Sequence, residues 1–145
     1  MPKQIFVNLP VRDLDKSMAF FGSLGFTFNP QFTDDTAACM VISDTIFAML
    51  LTHDKFKQFT TKDIADATTT TEVLTALSVD SRDAVDTMVD GAIEAGGSEP
   101  RDPMDHGFMF LRAFDDLDGH TWEIVWMDEA AMQASMEAAS AQPAT

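Results

Sequence analysis

Apolar and polar positions along the chain follow one succession of patterns that occurs twice. The first copy covers residues 3–52 and the second covers residues 73–127. In each copy a short apolar run comes first, a stretch with apolar residues three and four positions apart follows, and three further apolar runs complete it. The pattern therefore predicts one β-α-β-β-β unit in each half of the chain.

The predicted helix of each unit lies between residues that favour helix boundaries. In the first unit Asp13 can cap the helix and Gly25 can end it. In the second unit Ser81 takes the capping position and Gly96 follows the last apolar residue. The second helix is expected to bury a stripe of apolar residues: Val85, Met88, Val89, Ala92 and Ile93.

A polar connection separates the two units, and an alanine- and methionine-rich segment follows them. A connection of this length inside a compact domain is typical of a lid or a linker, and alanine and methionine favour a helix at the end of the chain. We therefore predict a single domain over residues 1–145, divided into module one (3–52), a linker (53–72), module two (73–127) and a C-terminal helix (128–138).

Charge and cysteine content limit the partners that this protein can have. The chain has 145 residues and a net charge of −15, from 24 acidic and 9 basic side chains. A field of this sign repels phosphate backbones and anionic membranes, so we expect neither nucleic acid nor a membrane as partner. Because no apolar run reaches the ~20 residues of a membrane span and the single Cys39 permits no intramolecular disulfide, we expect a cytoplasmic protein.

Two motifs near opposite ends of the chain resemble one known superfamily. The first is NLPVRDLDKSMAFF at 8–21 with LGF at 24–26, and the second is DGHTWEI at 118–124. In this order the motifs resemble the opening and closing segments of vicinal-oxygen-chelate proteins, which include glyoxalases, bleomycin-resistance proteins and extradiol dioxygenases. The likeness covers residues 3–127 and is nearest to bacterial predicted lactoylglutathione lyases. It implies an α+β fold in which two βαβββ modules form a cupped mixed sheet with helices on the outer face.

The resemblance also implies a ligand site in the cup, where metal-binding members hold a divalent cation with residues from the first and last strand of each module. The corresponding positions here are Phe6, Leu50 give or take one residue, Leu74 and Glu123, and neither Met49 nor Leu51 would add a donor. Of these side chains, only that of Glu123 carries an oxygen or nitrogen donor. A divalent metal is therefore possible but disfavoured, and the cofactor stays unknown. Glu123 remains as a weak metal ligand or as a catalytic general base.

The other candidate ligand-binding residues come from strands of both modules, and they are Phe6, Asn8, Leu74, Ala76, Ser78 and Arg112. Glu123 alternatively forms a hydrogen bond with Asn8 or Ser78. Arg112 interrupts an apolar run, so it either pairs with an acid on an exposed strand face or lies in the cup and holds a ligand carboxylate. The three histidines, His53, His106 and His120, are not clustered and are a weak signal for a metal site.

Three functions are compatible with these patterns. The first is a lyase or isomerase that uses Glu123. The second is a metal-poor small-molecule-binding protein of the bleomycin-resistance kind, whose acidity would attract cationic ligands. The third is a dimer that acts through its C-terminal helix and has a filled cup. We favour the second function, with an unknown small ligand and a homodimer, because most of the metal positions carry no donor.

Overall fold

Two modules of the same architecture form the computed structural model, which describes residues 2–141. Module one contains β1 (Ile5–Val11), α1 (Leu14–Ser23), β2 (Thr27–Phe28), β3 (Ala37–Val41) and β4 (Ile46–Thr52). The linker begins with the short helix α2 (His53–Phe56). Module two contains β5 (Leu74–Ser78), α3 (Arg82–Glu94), β6 (Met104–Asp105), β7 (Met109–Asp115) and β8 (Thr121–Met127), and α4 (Glu129–Ala141) follows. The predicted order of elements is confirmed in both halves.

Each module forms its own four-stranded mixed sheet. The strand order is β1-β4-β3-β2 in the first sheet and β5-β8-β7-β6 in the second. The first strand of each module runs parallel to the last, and the remaining neighbours are antiparallel. This arrangement confirms the predicted α+β class with two βαβββ modules.

Two predicted strands are shorter than the apolar pattern indicated. The run of phenylalanines from Phe26 to Phe32 contributes only Thr27–Phe28, because Asn29 accepts a hydrogen bond from the backbone of Gln31 and begins a 3-10 turn at Pro30–Phe32. The segment at 98–101, where the β-α-β-β-β pattern requires the first strand after α3, makes a single bridge, from Ser98 to Asp115. Proline explains both differences, because it has no backbone N–H to donate to a neighbouring strand. Pro30 begins the turn, and Pro100 lies in the segment after Ser98.

The predicted caps of the two long helices are confirmed. Asp13 accepts a hydrogen bond from the backbone N–H of Lys16, and Ser81 accepts one from that of Ala84. After the helices, Gly25 and Gly96 have φ angles of 99° and 110°, a conformation that side chains with a Cβ rarely adopt. Local sequence therefore sets where α1 and α3 begin and end.

Each sheet has one face covered by helices and one face that we call open. On β8, Trp122 and Ile124 are buried against the helices, whereas Glu123 and Val125 point to the other side and are only partly buried. This is the two-residue period of a strand whose two faces differ in surroundings. The second open face is accordingly formed by alternate residues of β5, β7 and β8.

One continuous core joins the two modules on the helix-covered side. The ring of Phe21 on α1 lies 5.3 Å from that of Trp122 on β8, and the ring of Phe20 lies 6.0 Å from that of Phe114 on β7. The fully or nearly fully buried members of this core are Val11, Leu14, Phe20, Phe21, Ala38, Met40, Ala48, Leu50, Val85, Val89, Ala92, Phe114, Trp122 and Ile124. The modules therefore fold as one hydrophobic unit.

The C-terminal helix α4 begins one residue later than predicted and reaches Ala141, the last described residue. Asp128 precedes it and accepts a hydrogen bond from the backbone of Ala131. None of the helices within residues 2–141 has both the length and the apolar character that crossing a bilayer requires.

Candidate ligand-binding face

The second open face brings together most of the residues predicted for the site. β5 pairs with β8 so that Ala76 lies opposite Glu123, while Leu74 and Ser78 lie opposite Thr121 and Val125. On the other side of β8, Ala113 of β7 is the partner of Glu123. Glu123 therefore stands between two alanines, and small neighbours leave space above its carboxylate. The second open face comprises Leu74, Ala76, Ser78, Leu111, Ala113, Asp115, Thr121, Glu123 and Val125.

The carboxylate of Glu123 forms an ion pair with a residue that the sequence analysis did not select. Both terminal nitrogens of Arg101 lie near Oε1 of Glu123, Nη1 at 3.3 Å and Nη2 at 3.2 Å. The Arg101 and Glu123 side chains retain 30% and 20% exposure, so the pair is accessible from the open face. Neither expected partner, Asn8 or Ser78, bonds Glu123 within residues 2–141.

The side chain of Arg101 reaches Glu123 by crossing β7. The segment that carries Arg101 flanks β7 on the side away from β8, since Ser98 bridges Asp115 and Met104 pairs with Leu111. The crossing point is at Ala113, which is fully buried. A larger side chain at this position would occupy the volume through which the arginine passes.

The guanidinium of Arg101 has one N–H group for which the described residues provide no hydrogen-bond acceptor. Its Nε–H is buried and has no hydrogen-bond partner among the described residues. A buried donor without an acceptor costs about 1–3 kcal/mol, and such groups in native proteins commonly mark a functional position. The second oxygen of Glu123, Oε2, likewise has no hydrogen-bond partner within residues 2–141.

A second polar pair lies on the same face, one strand position from Glu123. The hydroxyl of Thr121 donates to Oδ1 of Asp115 at 2.6 Å, and these residues are cross-strand neighbours. Asp115 is therefore held by β8 and adds a second negative charge beside the Arg101–Glu123 pair.

The first open face is apolar at the corresponding positions. Phe6 lies opposite Phe47, and their rings stack with centroids 4.8 Å apart and planes at 12°. Asn8 lies opposite Met49 on the same face. Leu50, which we assigned to the last-strand metal position, instead lies in the core, and Met49 takes the open-face position because side chains alternate along β4.

Arg112 does not lie on the open face. It is the cross-strand partner of Ile124 and shares the helix-covered side with it. There its guanidinium contacts three carboxylates, those of Asp86 at 2.8 Å, Asp90 at 2.9 Å and Glu99 at 2.9 Å. Hydrogen bonds to Glu99, and then to Asp86, raise the pKa of Arg112 above its usual value. Arg112 is thus paired with acids, but on the buried, helix-covered side of the sheet and not on the exposed strand face that our first alternative stated. It does not lie in the cup, where our second alternative placed it.

The closing DGHTWEI motif has a structural role that its resemblance alone did not reveal. Asp118 accepts hydrogen bonds from the backbone of Arg12 at 2.9 Å and from the hydroxyl of Ser17 at 3.3 Å. Nε2 of His120 lies 2.7 Å from the carbonyl oxygen of Pro10. The closing motif therefore binds the opening motif, and it fixes module two against module one.

Asp116 supports this turn from inside the protein. Its carboxylate accepts hydrogen bonds from Trp122 Nε1 at 3.0 Å and from the backbones of Asp118 and His120 at 2.9 and 3.0 Å. Burial raises the pKa of Asp116 above its ordinary value, although the hydrogen bonds and His120 oppose the shift. The group serves the turn and does not reach the open face.

Two cavities lie where the linker crosses the ends of β1 and β8. One has a volume of about 400 Å³ and is polar, and its walls include Arg12, His53, Lys57, Asp63, Asp66, Asp118 and His120. The other has about 180 Å³ and lies between Asn8, Val73 and Thr121. Neither cavity is lined by Glu123, so the second open face is a shallow surface in a single chain. Both His53 and His120 line the first cavity.

Comparisons with known proteins agree with this architecture. The sequence model of the bleomycin resistance protein-like N-terminal family matches residues 3–43. A hypothetical protein from S. aureus of known structure is 29% identical over 87% of this chain and 95% of its own, with a TM-score of 0.73. The family model thus matches the first part of the chain, and the likeness in fold to the solved structure covers most of it.

Other solved structures of the superfamily share the fold at lower identity. A glyoxalase/bleomycin resistance protein/dioxygenase family enzyme from Burkholderia phytofirmans PsJN is 19% identical over 87% of this chain and 99% of its own, with a TM-score of 0.71. The fosfomycin resistance protein FosX from Mesorhizobium loti is 14% identical over 92% of this chain and 98% of its own, with a TM-score of 0.65. No curated protein matches the sequence.

The residues of this chain do not fit a divalent metal at the four positions that the superfamily resemblance implies. Phe6, Met49 and Leu74 offer no oxygen or nitrogen donor from their side chains. The remaining carboxylate, Glu123, is already bound by a cation, because Arg101 lies 3.2 Å from it. Across the part of the chain that the structure describes, no three His, Cys, Asp or Glu side chains are grouped to hold a metal ion.

Proposed function

We propose that this protein binds a small molecule in the cup of the vicinal-oxygen-chelate fold without using a metal. The ion pair between Arg101 and Glu123 carries the proposal. The guanidinium of Arg101 is bound to Glu123, which is the only one of the four residues at the implied metal positions whose side chain could ligate a metal. The positive charge of Arg101 would repel a metal ion at this place, so the site binds its ligand with protein groups alone.

The apolar side chains of both open faces support a ligand of low polarity. Phe6 on the first open face and Leu74 on the second retain 48% and 51% exposure. Small-molecule sites are lined mainly by apolar and aromatic side chains, with a few polar groups that set orientation. Phe6, Asn8, Leu74, Ala76 and Ser78 have the apolar or small polar character that such walls need.

We propose further that the working form is a homodimer. Exposed apolar side chains occur on both sheets, including Ile5, Phe6 and Ile46 on the first and Val73, Leu74 and Met104 on the second. Exposed apolar patches of this kind commonly mark contact surfaces. A second copy that placed its first open face against the second open face would convert a shallow surface into a two-walled cup. Light scattering during size exclusion tests this; a monomer at micromolar concentration would contradict it.

A glyoxalase-like lyase or isomerase is the second candidate, and one observation favours it. Oε2 of Glu123 has no partner in the described part of the chain, and it points from a face flanked by alanines. A free carboxylate oxygen at this place can accept a proton from a bound substrate. Under this alternative, Glu123→Gln abolishes turnover and leaves binding intact.

Metal content separates the two candidates. The purified, untagged protein is incubated with Zn²⁺, Ni²⁺, Mn²⁺ and Fe²⁺, desalted and analysed for bound metal. We expect no stoichiometric metal, in the wild type or in Glu123→Ala. One equivalent of metal per chain that Glu123→Ala removes would overturn the proposal and favour the lyase.

Ligand binding is then tested directly by thermal shift against a library of small neutral, cationic and anionic molecules. We expect stabilisation by some members that is unaffected by a chelator. Cys39 is a buried free thiol, and on this ground we also propose a cytoplasmic location. The binding assay therefore contains a thiol reductant. No stabilisation by any class would contradict a binding function.

A further inference from the structure

The Arg101–Glu123 pair on the second open face defines the chemistry of the molecule that binds there. Resting on the proposed binding function, we propose that the ligand is a neutral, largely apolar molecule in which a carbonyl oxygen stands next to an N–H or O–H group, as in a lactam. The carbonyl would accept from the guanidinium of Arg101, and the N–H or O–H would donate to Oε2 of Glu123.

The charges around the pair favour a neutral molecule. Arg101 and Glu123 neutralise each other at 3.2 Å. An added carboxylate would meet the carboxylates of Glu123 and Asp115, the latter held on the same face by Thr121. An added ammonium group would meet the guanidinium of Arg101. Since both groups are partly removed from water, these repulsions are screened less than they would be on an exposed surface.

The unused hydrogen-bonding groups of the pair come as one donor side and one acceptor side. Both contacts of the pair use Oε1 of Glu123, which leaves Oε2 without a partner within residues 2–141. On the arginine, the two terminal nitrogens each carry a second N–H that a ligand can reach, whereas the Nε–H is buried. A molecule with adjacent acceptor and donor atoms matches both partners at once.

The surroundings of the pair restrict the rest of the ligand. Ala76 flanks Glu123 on the side away from Arg101 and is exposed, so there is room for a flat group on that side of the carboxylate. Leu74, Leu111 and Val125 supply apolar surface around this place. A fused-ring lactam satisfies these conditions, because its polar edge is short and the remainder of the molecule is apolar.

Four probes of similar size test the proposal: a quinolinone, its N-methyl derivative, naphthoate and naphthylmethylammonium. Binding is measured by titration of isotope-labelled protein, followed through the backbone amide signals of Ala76, Ala113 and Glu123. We expect the quinolinone to bind about tenfold more tightly than each of the other three, which lack the donor or add a charge. Naphthoate binding more tightly than the quinolinone would overturn the inference.

Two variants change the charge of the pair and should change the preferred probe. Glu123→Gln leaves Arg101 as a free cation, so naphthoate should become the tightest probe. Arg101→Gln leaves Glu123 as a free anion, so naphthylmethylammonium should become the tightest. Matched controls with the same change in net charge away from this face, Glu94→Gln and Arg82→Gln, should keep the order of the wild type. An order that stays the same in all four variants would overturn the assignment of this pair.

These outcomes also distinguish the inference from the proposed function. If none of the four probes and no library member shifts the signals of the open face, the binding function itself fails. If some probe binds at this face in a different order of affinity, the binding function holds and only the neutral-ligand inference fails.

Discussion

The two faces of the second sheet each hold an arginine, and the two arginines differ in how fully the protein uses them. On the helix-covered face Arg112 is surrounded by three carboxylates, and its side chain is only 10% exposed. On the open face Arg101 has one carboxylate partner and a buried Nε–H without an acceptor. A filled set of hydrogen bonds indicates a structural residue, whereas an incomplete set indicates a place for a ligand.

The largest effect should come from removing a side chain on the helix-covered face. Trp122→Ala is expected to lower the free energy of unfolding by about 3–5 kcal/mol, because it leaves a cavity in the core that joins the modules. It also removes the indole N–H that binds the buried Asp116. Chemical denaturation followed by circular dichroism measures the change. Val125→Ala, on the open face of the same strand, should cost about 1 kcal/mol or less; equal losses would contradict the assignment of faces.

The next effect concerns the arginine of the helix-covered face. Arg112→Met should lower the free energy of unfolding by about 2–4 kcal/mol, since it leaves three carboxylates close together without a cation. Arg101→Gln is the matched comparison, and its partly exposed pair should contribute less than about 1 kcal/mol. A greater loss for Arg101→Gln than for Arg112→Met would reverse the roles that we assign to the two arginines.

A smaller effect is expected from filling the place where Arg101 crosses β7. Ala113→Leu should cost about 1–3 kcal/mol because the larger side chain meets a fully packed position. It should also separate Arg101 from Glu123 and abolish the preference for the quinolinone over the charged probes. Ala76→Leu, on the other side of Glu123, changes the face without blocking the arginine. If Ala113→Leu keeps the probe order of the wild type, Arg101 does not reach Glu123 by this route.

The smallest effect concerns an exposed pair at the edge of module two. Arg82 donates two hydrogen bonds to Asp105, at 2.9 and 2.7 Å, which lower the pKa of Asp105 to about 2. Because the pKa is lowered, any stabilisation by the pair is fully present when the pH is above the ordinary pKa of 3.8. It is lost as the pH falls toward about 2, where Asp105 becomes protonated in the folded protein. Titration of the Asp105 carboxyl carbon by NMR should show this pKa, and Arg82→Gln should return it toward 3.8. An unchanged titration in Arg82→Gln would show that the pair does not form in solution.

Much of the fold followed from local patterns in the sequence. The repeated β-α-β-β-β succession, the caps at Asp13 and Ser81 and the glycines after both helices were correctly predicted, because each depends on residues that are close along the chain. The faces of β8 were also correctly predicted, since Trp122 and Ile124 alternate with more polar neighbours. The candidate residues Leu74, Ala76, Ser78 and Glu123 come together on one face for the same reason.

The sequence did not settle the direction of two side chains, because the strands that carry them show no alternation of apolar and polar residues. Along β7, Leu111, Arg112, Ala113 and Phe114 are all buried, so the pattern could not show which side Arg112 faces. The last-strand metal position was predicted only to within one residue of Leu50, because β4 is apolar on both faces, and the structure places Met49 there. In such strands only the register with neighbouring strands decides the direction of a side chain.

The sequence by itself determined the repeat, the resemblance to the superfamily and the single carboxylate among the implied metal positions. The tertiary structure decided what that carboxylate contacts. Arg101 lies in an irregular segment between α3 and β6, where no periodicity relates a residue to a face, and its partner is 22 residues away along the chain. The contact exists because that segment folds along the edge of β7 and because an alanine leaves room for the arginine to cross. Only the packed sheet brings those two conditions together.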